Sequence, residues 1–149
     1  AQALYVPSPA IVGNTSTRKA MLADPSMSAV VSAWGRVSVS LVGIGSVEPS
    51  PLLRRSGNAL SLEESEALIA LGAVGDVCLR YFDATGASVT SPVDDRLIGM
   101  TAREIRAVPR RMAVAGGQAK AAAIRAALLG GWVSVLITDE EVAESLIVD

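Results

Sequence analysis

Arg111-Met112-Ala113-Val114-Ala115-Gly116-Gly117-Gln118-Ala119-Lys120 is the stretch on which the fold turns. Arg111 to Ala115 reads as a strand, and two glycines follow at once. Gln118 to Leu129 is an alanine-rich run, and alanine is the strongest helix former. Gly130-Gly131 ends that helix, and Trp132 to Ile137 reads as a further strand. Strand, tight turn, helix and strand in direct succession form the repeating unit of an α/β fold with a mostly parallel sheet.

The alternation extends outward in both directions. Leu4 to Val6 reads as a short strand closed by Pro7 and Pro9. Asn14-Thr15-Ser16-Thr17 offers N-caps for a helix carrying Ala20, Met21 and Leu22. Asp24 can cap the next helix with Pro25 at its first position, and Gly35 stops it. Val37 to Val42 reads as a buried strand that empties into Gly43-Ile44-Gly45-Ser46. Pro49 and Pro51 then break the chain into a loop with Arg54 and Arg55. Ser61-Leu62-Glu63-Glu64 is a capping box, in which hydroxyl and carboxylate each satisfy a backbone donor. Leu62, Leu68, Ile69 and Leu71 supply the apolar face behind it. Val77 to Phe82 reads as one strand, turning through Asp83 to Gly86 into Ser88-Val89-Thr90 as a hairpin. Thr101-Ala102-Arg103-Glu104 and Thr138-Asp139-Glu140-Glu141 are two more capping boxes. No internal repeat interrupts the pattern, so one domain is the simplest organisation.

Composition narrows the chemistry. The chain has 149 residues, half of them hydrophobic, enough for one real core. Its net charge of −2 leaves no basic footprint for nucleic acid. There is no histidine, which removes Ser-His-Asp and Cys-His catalysis and, with one cysteine, most transition-metal sites. Cys78 sits inside an apolar run and reads as a small buried hydrophobe in a strand. No stretch approaches the roughly 18 apolar residues of a membrane span, and the start has no signal-peptide pattern. The chain begins without an initiator Met, in a strand-like run, which points to a beginning inside a larger protein. Cytoplasm is the expected compartment, with no membrane partner.

Three places can carry a ligand. At Gly116-Gly117 the backbone can bring its N–H groups close to an anion, a helix start adds unpaired donors, and Lys120 adds a full positive charge. The spacing is not that of a nucleotide P-loop, and a tight turn with a solvated lysine explains the same residues. Gly43 and Gly45 lie where a strand ends, the side of an α/β sheet on which ligands bind. They make only part of a dinucleotide fingerprint, and a sharp turn is the simpler account of them. Asp76 could accept hydrogen bonds from sugar hydroxyls, or serve as an ordinary turn aspartate. Asp94-Asp95-Arg96 reads as a surface turn with a local ion pair, and the arginines 103, 106, 110 and 111 as a solvated face.

Taken in order, these segments resemble one family. Gly72-Ala73-Val74-Gly75-Asp76-Val77-Cys78-Leu79-Arg80-Tyr81-Phe82-Asp83 is similar to the signature segment of SorC-type sugar-binding transcriptional regulators. Asp95-Arg96-Leu97-Ile98-Gly99, Val108-Pro109-Arg110, Val114 to Lys120, and Trp132 to Glu140 follow in family order. Upstream, Leu4 to Pro9 and Leu41 to Gly45 also fit, so the likeness spans nearly the whole chain.

The resemblance implies a Rossmann-like three-layer α/β/α domain with a mostly parallel sheet and a β-hairpin, similar to ribose-phosphate isomerase folds. It implies an effector domain that binds a phosphorylated sugar, with DNA bound by a separate N-terminal helix-turn-helix domain. By position, Gly116, Gly117 and Lys120 would contact the phosphate or neighbouring oxygens, Asp76 would hold sugar hydroxyls, and Gly43 and Gly45 would line the cleft. No cofactor, metal or catalytic residue is implied, and a homo-oligomer (dimer or tetramer) is. Residues 1–149 would then be a partial effector domain, lacking the helix-turn-helix and the opening part of the effector unit. Two rivals stay open: an isomerase- or deaminase-type enzyme on the same fold, with Asp76, Glu48 or Lys120 as acid–base groups, and a structural oligomerisation module.

Overall fold

In the computed structural model, which describes residues 3–48 and 60–147, local signals place most of the helix starts. The Asn14 side chain accepts the Thr17 amide and opens α1 (Thr15–Ala23). Asp24 accepts the Ser26 amide and opens α2 (Pro25–Trp34), which Gly35 closes. The chain continues through β1 (Val39–Val42), β2 (Gly45–Ser46), α3 (Leu62–Ala70), β3 (Ala73–Val77) and β4 (Arg80–Asp83). A 3-10 turn (Pro92–Arg96), α4 (Ala102–Ala107) and β5 (Arg110–Val114) follow. A second 3-10 turn (Gln118–Lys120) leads into α5 (Ala121–Leu129), then β6 (Val135–Ile137) and α6 (Glu140–Ile147). The capping boxes at Ser61–Glu64 and Thr101–Glu104 are both formed.

The strands make two sheets. β1, β5 and β6 are parallel, in the order β1-β5-β6. β2, β3 and β4 are antiparallel, in the order β2-β3-β4. The mixed α/β class read from the sequence is therefore the class observed. One face of the parallel sheet, carrying Val42, Ala113 and Leu136, packs on a core of Ile44, Ile124, Ala127, Trp132 and Val142. Trp132 closes this core: it is fully buried, lies 5.1 Å from the ring of Phe82, and donates from Nε1 to the Gly86 carbonyl at 2.8 Å. A second cluster, around Leu68, Tyr81, Val93 and Leu97, backs the antiparallel sheet.

The other face of the parallel sheet is open. Register places Val39, Leu41, Met112, Val114, Val135 and Ile137 on it. Leu41 is 70% exposed, and Val39, Val114 and Ile137 about half exposed. The buried strand expected at 37–42 is thus a half-covered edge strand. Its apolar pattern is that of a strand covered on both faces, the usual state of parallel sheets, but among the described residues only one face is covered.

Several further expectations give way. Leu4 to Val6 forms no strand and is exposed. The expected strand 77–82 is broken at Cys78 and Leu79, which stand at φ +53° and +62° and form the two-residue turn of the β3–β4 hairpin. The hairpin expected at 83–90 is reduced to a single bridge from Phe82 to Ser88. Cys78 is consequently exposed, not a buried hydrophobe. On α3 only Leu68 of the four expected apolar residues is buried; Leu62, Ile69 and Leu71 face outward. At the last helix the cap is Asp139, which accepts the Val142 amide, while the Thr138 hydroxyl is buried without a partner among the described residues. The expected loop with Pro49, Pro51, Arg54 and Arg55 lies outside the described residues.

Candidate ligand-binding site

Two loops leave the carboxyl ends of neighbouring parallel strands, β1 and β5, on the side where open α/β sheets hold ligands. The loop after β1 carries Gly43 and Ile44. The turn after β5 delivers Lys120, whose ammonium donates to the Ile44 carbonyl at 3.0 Å. An ammonium has three donors, so this bond orients Lys120 and leaves donors for a ligand. The antiparallel sheet forms the adjoining wall. These elements enclose a cavity of about 340 Å³ lined by Gly43, Gly45, Ser46, Asp76, Tyr81 and Lys120, among others. That is within the range of small-molecule sites.

Asp76 and Glu48 are the acidic residues lining the cavity, and Asp76 is the one carried on the antiparallel sheet itself. Its Oδ2 accepts the Leu79 amide at 2.8 Å, which ties the carboxylate to the hairpin turn. Gly45 faces it across β2 and β3, and a Cβ there would come within 2.0 Å of Oδ1. The missing side chain of Gly45 is therefore the space the carboxylate occupies. Burial pushes the Asp76 carboxyl up to about 6, against the opposing pull of the Leu79 amide and of Lys120. Asp76 thus carries charge at neutral pH yet lies close to its protonation point.

Four of the six residues singled out from sequence, Gly43, Gly45, Asp76 and Lys120, meet at this cavity. Gly116 and Gly117 do not line it. Gly117 takes φ +88°, which favours glycine, and its amide donates to Asp139 Oδ2 at 2.7 Å. The amides of Val142 and Gly117 hold the Asp139 carboxyl below its ordinary value. The Gly117 amide, expected to face a phosphate, is thus engaged by a protein carboxylate. The glycine pair shapes the turn that carries Lys120 to the cavity.

Sequence reasoning singled out neither Tyr81 nor Ser46, which line the cavity, nor the buried Arg80, which does not. Arg80 is buried, its Nε donating to the Met100 carbonyl at 3.0 Å and its Nη1 paired with Asp94 at 2.8 Å. The local ion pair expected within Asp94-Asp95-Arg96 is absent: Asp94 reaches Arg80, and Arg96 pairs with Glu64. Among the described residues no cluster of His, Cys, Asp or Glu is placed to hold a metal. No helix there is long and apolar enough to cross a membrane.

A mixed α/β fold with a cavity at the strand ends, lined by two carboxylates (Glu48 and Asp76) and the Lys120 ammonium, defines a small-molecule-binding domain. Comparison with known proteins makes this specific. Residues 1–148 match the family model described as "Putative sugar-binding domain". The chain belongs to this family, the sugar-binding domains of SorC-type transcriptional regulators. It is 34% identical over 145 residues to the deoxyribonucleoside regulator of Bacillus subtilis, covering 97% of this chain and 46% of that protein. It is 30% identical over 142 residues to the sorbitol operon regulator of Klebsiella pneumoniae, covering 93% of this chain and 44% of that protein. The solved structure of a DeoR family transcriptional regulator from Listeria monocytogenes superposes with a TM-score of 0.87 at 26% identity, covering 96% of this chain and 57% of that one. The chain spans somewhat less than half the length of the curated relatives it matches.

Proposed function

We propose that this domain senses a phosphorylated sugar on behalf of a transcriptional regulator. Lys120 takes the phosphate or an oxygen next to it, Asp76 accepts hydrogen bonds from the sugar hydroxyls, Gly43 keeps the wall low enough for close approach, and Gly45 lines the cleft while leaving room for the Asp76 carboxylate. Gly116 and Gly117 act through the turn that positions Lys120. The observation that carries this reading is the meeting of Asp76 and Lys120 at one cavity, with no ion pair engaging either among the described residues. An anion with hydroxyl donors is complementary to that pair, while a bare anion or a neutral sugar satisfies only half of it.

The domain works by binding, without catalysis or cofactor. The relatives are named as regulators, and the chain's lack of histidine removes the commonest general base. DNA contact belongs to a separate helix-turn-helix domain, in a homo-oligomer acting in the cytoplasm. Residues 1–149 are one portion of the sugar-binding unit, and the open face with Leu41 and Val114 packs against the rest of that unit. The effector favours one assembly state over another, and a coupling of about 1–3 kcal/mol changes DNA affinity roughly 5–150-fold. The test is binding of the full-length protein to the DNA upstream of its own gene, with and without aldose and polyol phosphates. A shift in affinity with at least one of them, absent with the unphosphorylated sugar, is the expected result. Unchanged affinity across the series would overturn the proposal.

A further inference from the structure

Across the antiparallel sheet, Gly45, Asp76 and Tyr81 form one row. Gly45 pairs with Asp76 between β2 and β3, and Asp76 with Tyr81 between β3 and β4. Directly opposed residues in antiparallel strands point to the same face, with Cβ atoms about 5 Å apart. All three line the cavity that Lys120 enters. Tyr81 is only 6% exposed, its ring packed into the cluster of Leu68, Val93 and Leu97. Its rotamer is therefore held from behind. Its hydroxyl is not among the polar atoms buried without a partner, and no described residue hydrogen-bonds to it. The hydroxyl is left at the cavity.

We propose that Tyr81 is a specificity-determining residue of the sugar site: its hydroxyl pairs with a ligand hydroxyl adjacent to the one that Asp76 holds. The inference rests on the sugar-phosphate reading above and deepens it. Asp76, ionised, can only accept hydrogen bonds, whereas a phenol both donates and accepts. One acceptor beside one donor–acceptor suits two neighbouring hydroxyls of a single polyol, which a bare phosphate lacks. Burial, and after it the nearby Asp76 carboxylate, push the phenol well above its ordinary value, so Tyr81 remains a donor throughout the working pH range. Asp76, held by Leu79, and Tyr81, held by its apolar packing, are both positioned before the ligand arrives, and a site built to hydrogen-bond a hydroxyl rejects analogues without one.

The experiment is calorimetric titration of the full-length protein and its Tyr81→Phe variant with ribose 5-phosphate, glucose 6-phosphate, glycerol 3-phosphate and inorganic phosphate. The phenyl ring retains the packing, and a melting temperature near that of the parent verifies it. The expected result is a loss of about 3–10-fold in affinity for the tightest-binding polyol phosphate, with inorganic phosphate unaffected. Equal affinities in parent and variant, or an equal loss for polyol phosphate and inorganic phosphate, would overturn the role of Tyr81 and leave the sugar-phosphate reading standing. Failure of the parent to bind any polyol phosphate more tightly than inorganic phosphate would overturn both.

Discussion

Gly45 stands opposite Asp76, and a methyl group on it would lie 2.0 Å from the carboxylate oxygen Oδ1. The glycine is thus a requirement of the carboxylate's position as well as of the strand. Gly45→Ala must displace either the carboxylate or the pairing of β2 with β3. Overpacking of this kind costs roughly 1–3 kcal/mol. Thermal unfolding should register that loss, and calorimetry should show polyol phosphate binding abolished. An alanine variant with normal binding would mean that Oδ1 does not face the ligand.

The raised carboxyl of Asp76 has a definite sign. A group whose folded-state value lies above its unfolded one favours folding at low pH and loses that contribution as pH rises. Here the window runs from the ordinary carboxylate value of 3.8 up to about 6. Asp76→Asn keeps an acceptor for the Leu79 amide and removes the charge. It should be more stable than the parent at pH 7.5, by about 1–3 kcal/mol, with the difference vanishing near pH 3.5. Denaturant unfolding at the two pH values measures it. The variant should at the same time bind polyol phosphates more weakly, a stability cost held for function. A difference independent of pH would contradict this account of Asp76.

Cys78 and Leu79 form a two-residue hairpin turn with φ positive at both positions, a geometry for which asparagine followed by glycine is the favoured pair. A side chain in the left-handed region costs roughly 1–2 kcal/mol, less for asparagine. Cys78 is exposed, so Cys78→Asn removes little packing. It should raise the melting temperature by about 1–4 °C. A lowered melting temperature would show that the thiol makes contacts the turn depends on.

The same turn shows where the sequence becomes opaque. Gly-Asp-Val-Cys-Leu-Arg-Tyr-Phe has no Gly, Asn or Asp at the two turn positions, so its apolar run hides the reversal. Once the turn is displaced, register is lost, and with it the facing of Tyr81 and Asp76. The place of Tyr81 on the cavity is therefore invisible in the sequence, whereas those of Lys120 and Gly43 are legible because strand ends mark the ligand side of an α/β sheet. The boxes at Ser61 and Thr101 were legible because each closes within one helical turn. The bond from Gly117 to Asp139 joins residues 22 apart, and no local pattern announces it. The open face behaves likewise: Val39, Leu41 and Val114 look the same in sequence whether or not another layer covers them.

The account rests on one ligand being held at once by Asp76 and Lys120. The most direct measurement is calorimetric titration of the full-length protein, Asp76→Ala and Lys120→Ala, each with a polyol phosphate and with its unphosphorylated polyol. The account predicts tight binding of the phosphorylated ligand by the parent alone, with each variant weakened at least tenfold, about 1.4 kcal/mol, and little binding of the unphosphorylated polyol by any of the three. Equal affinity for the two ligands in the parent, or variants that bind as the parent does, would contradict it.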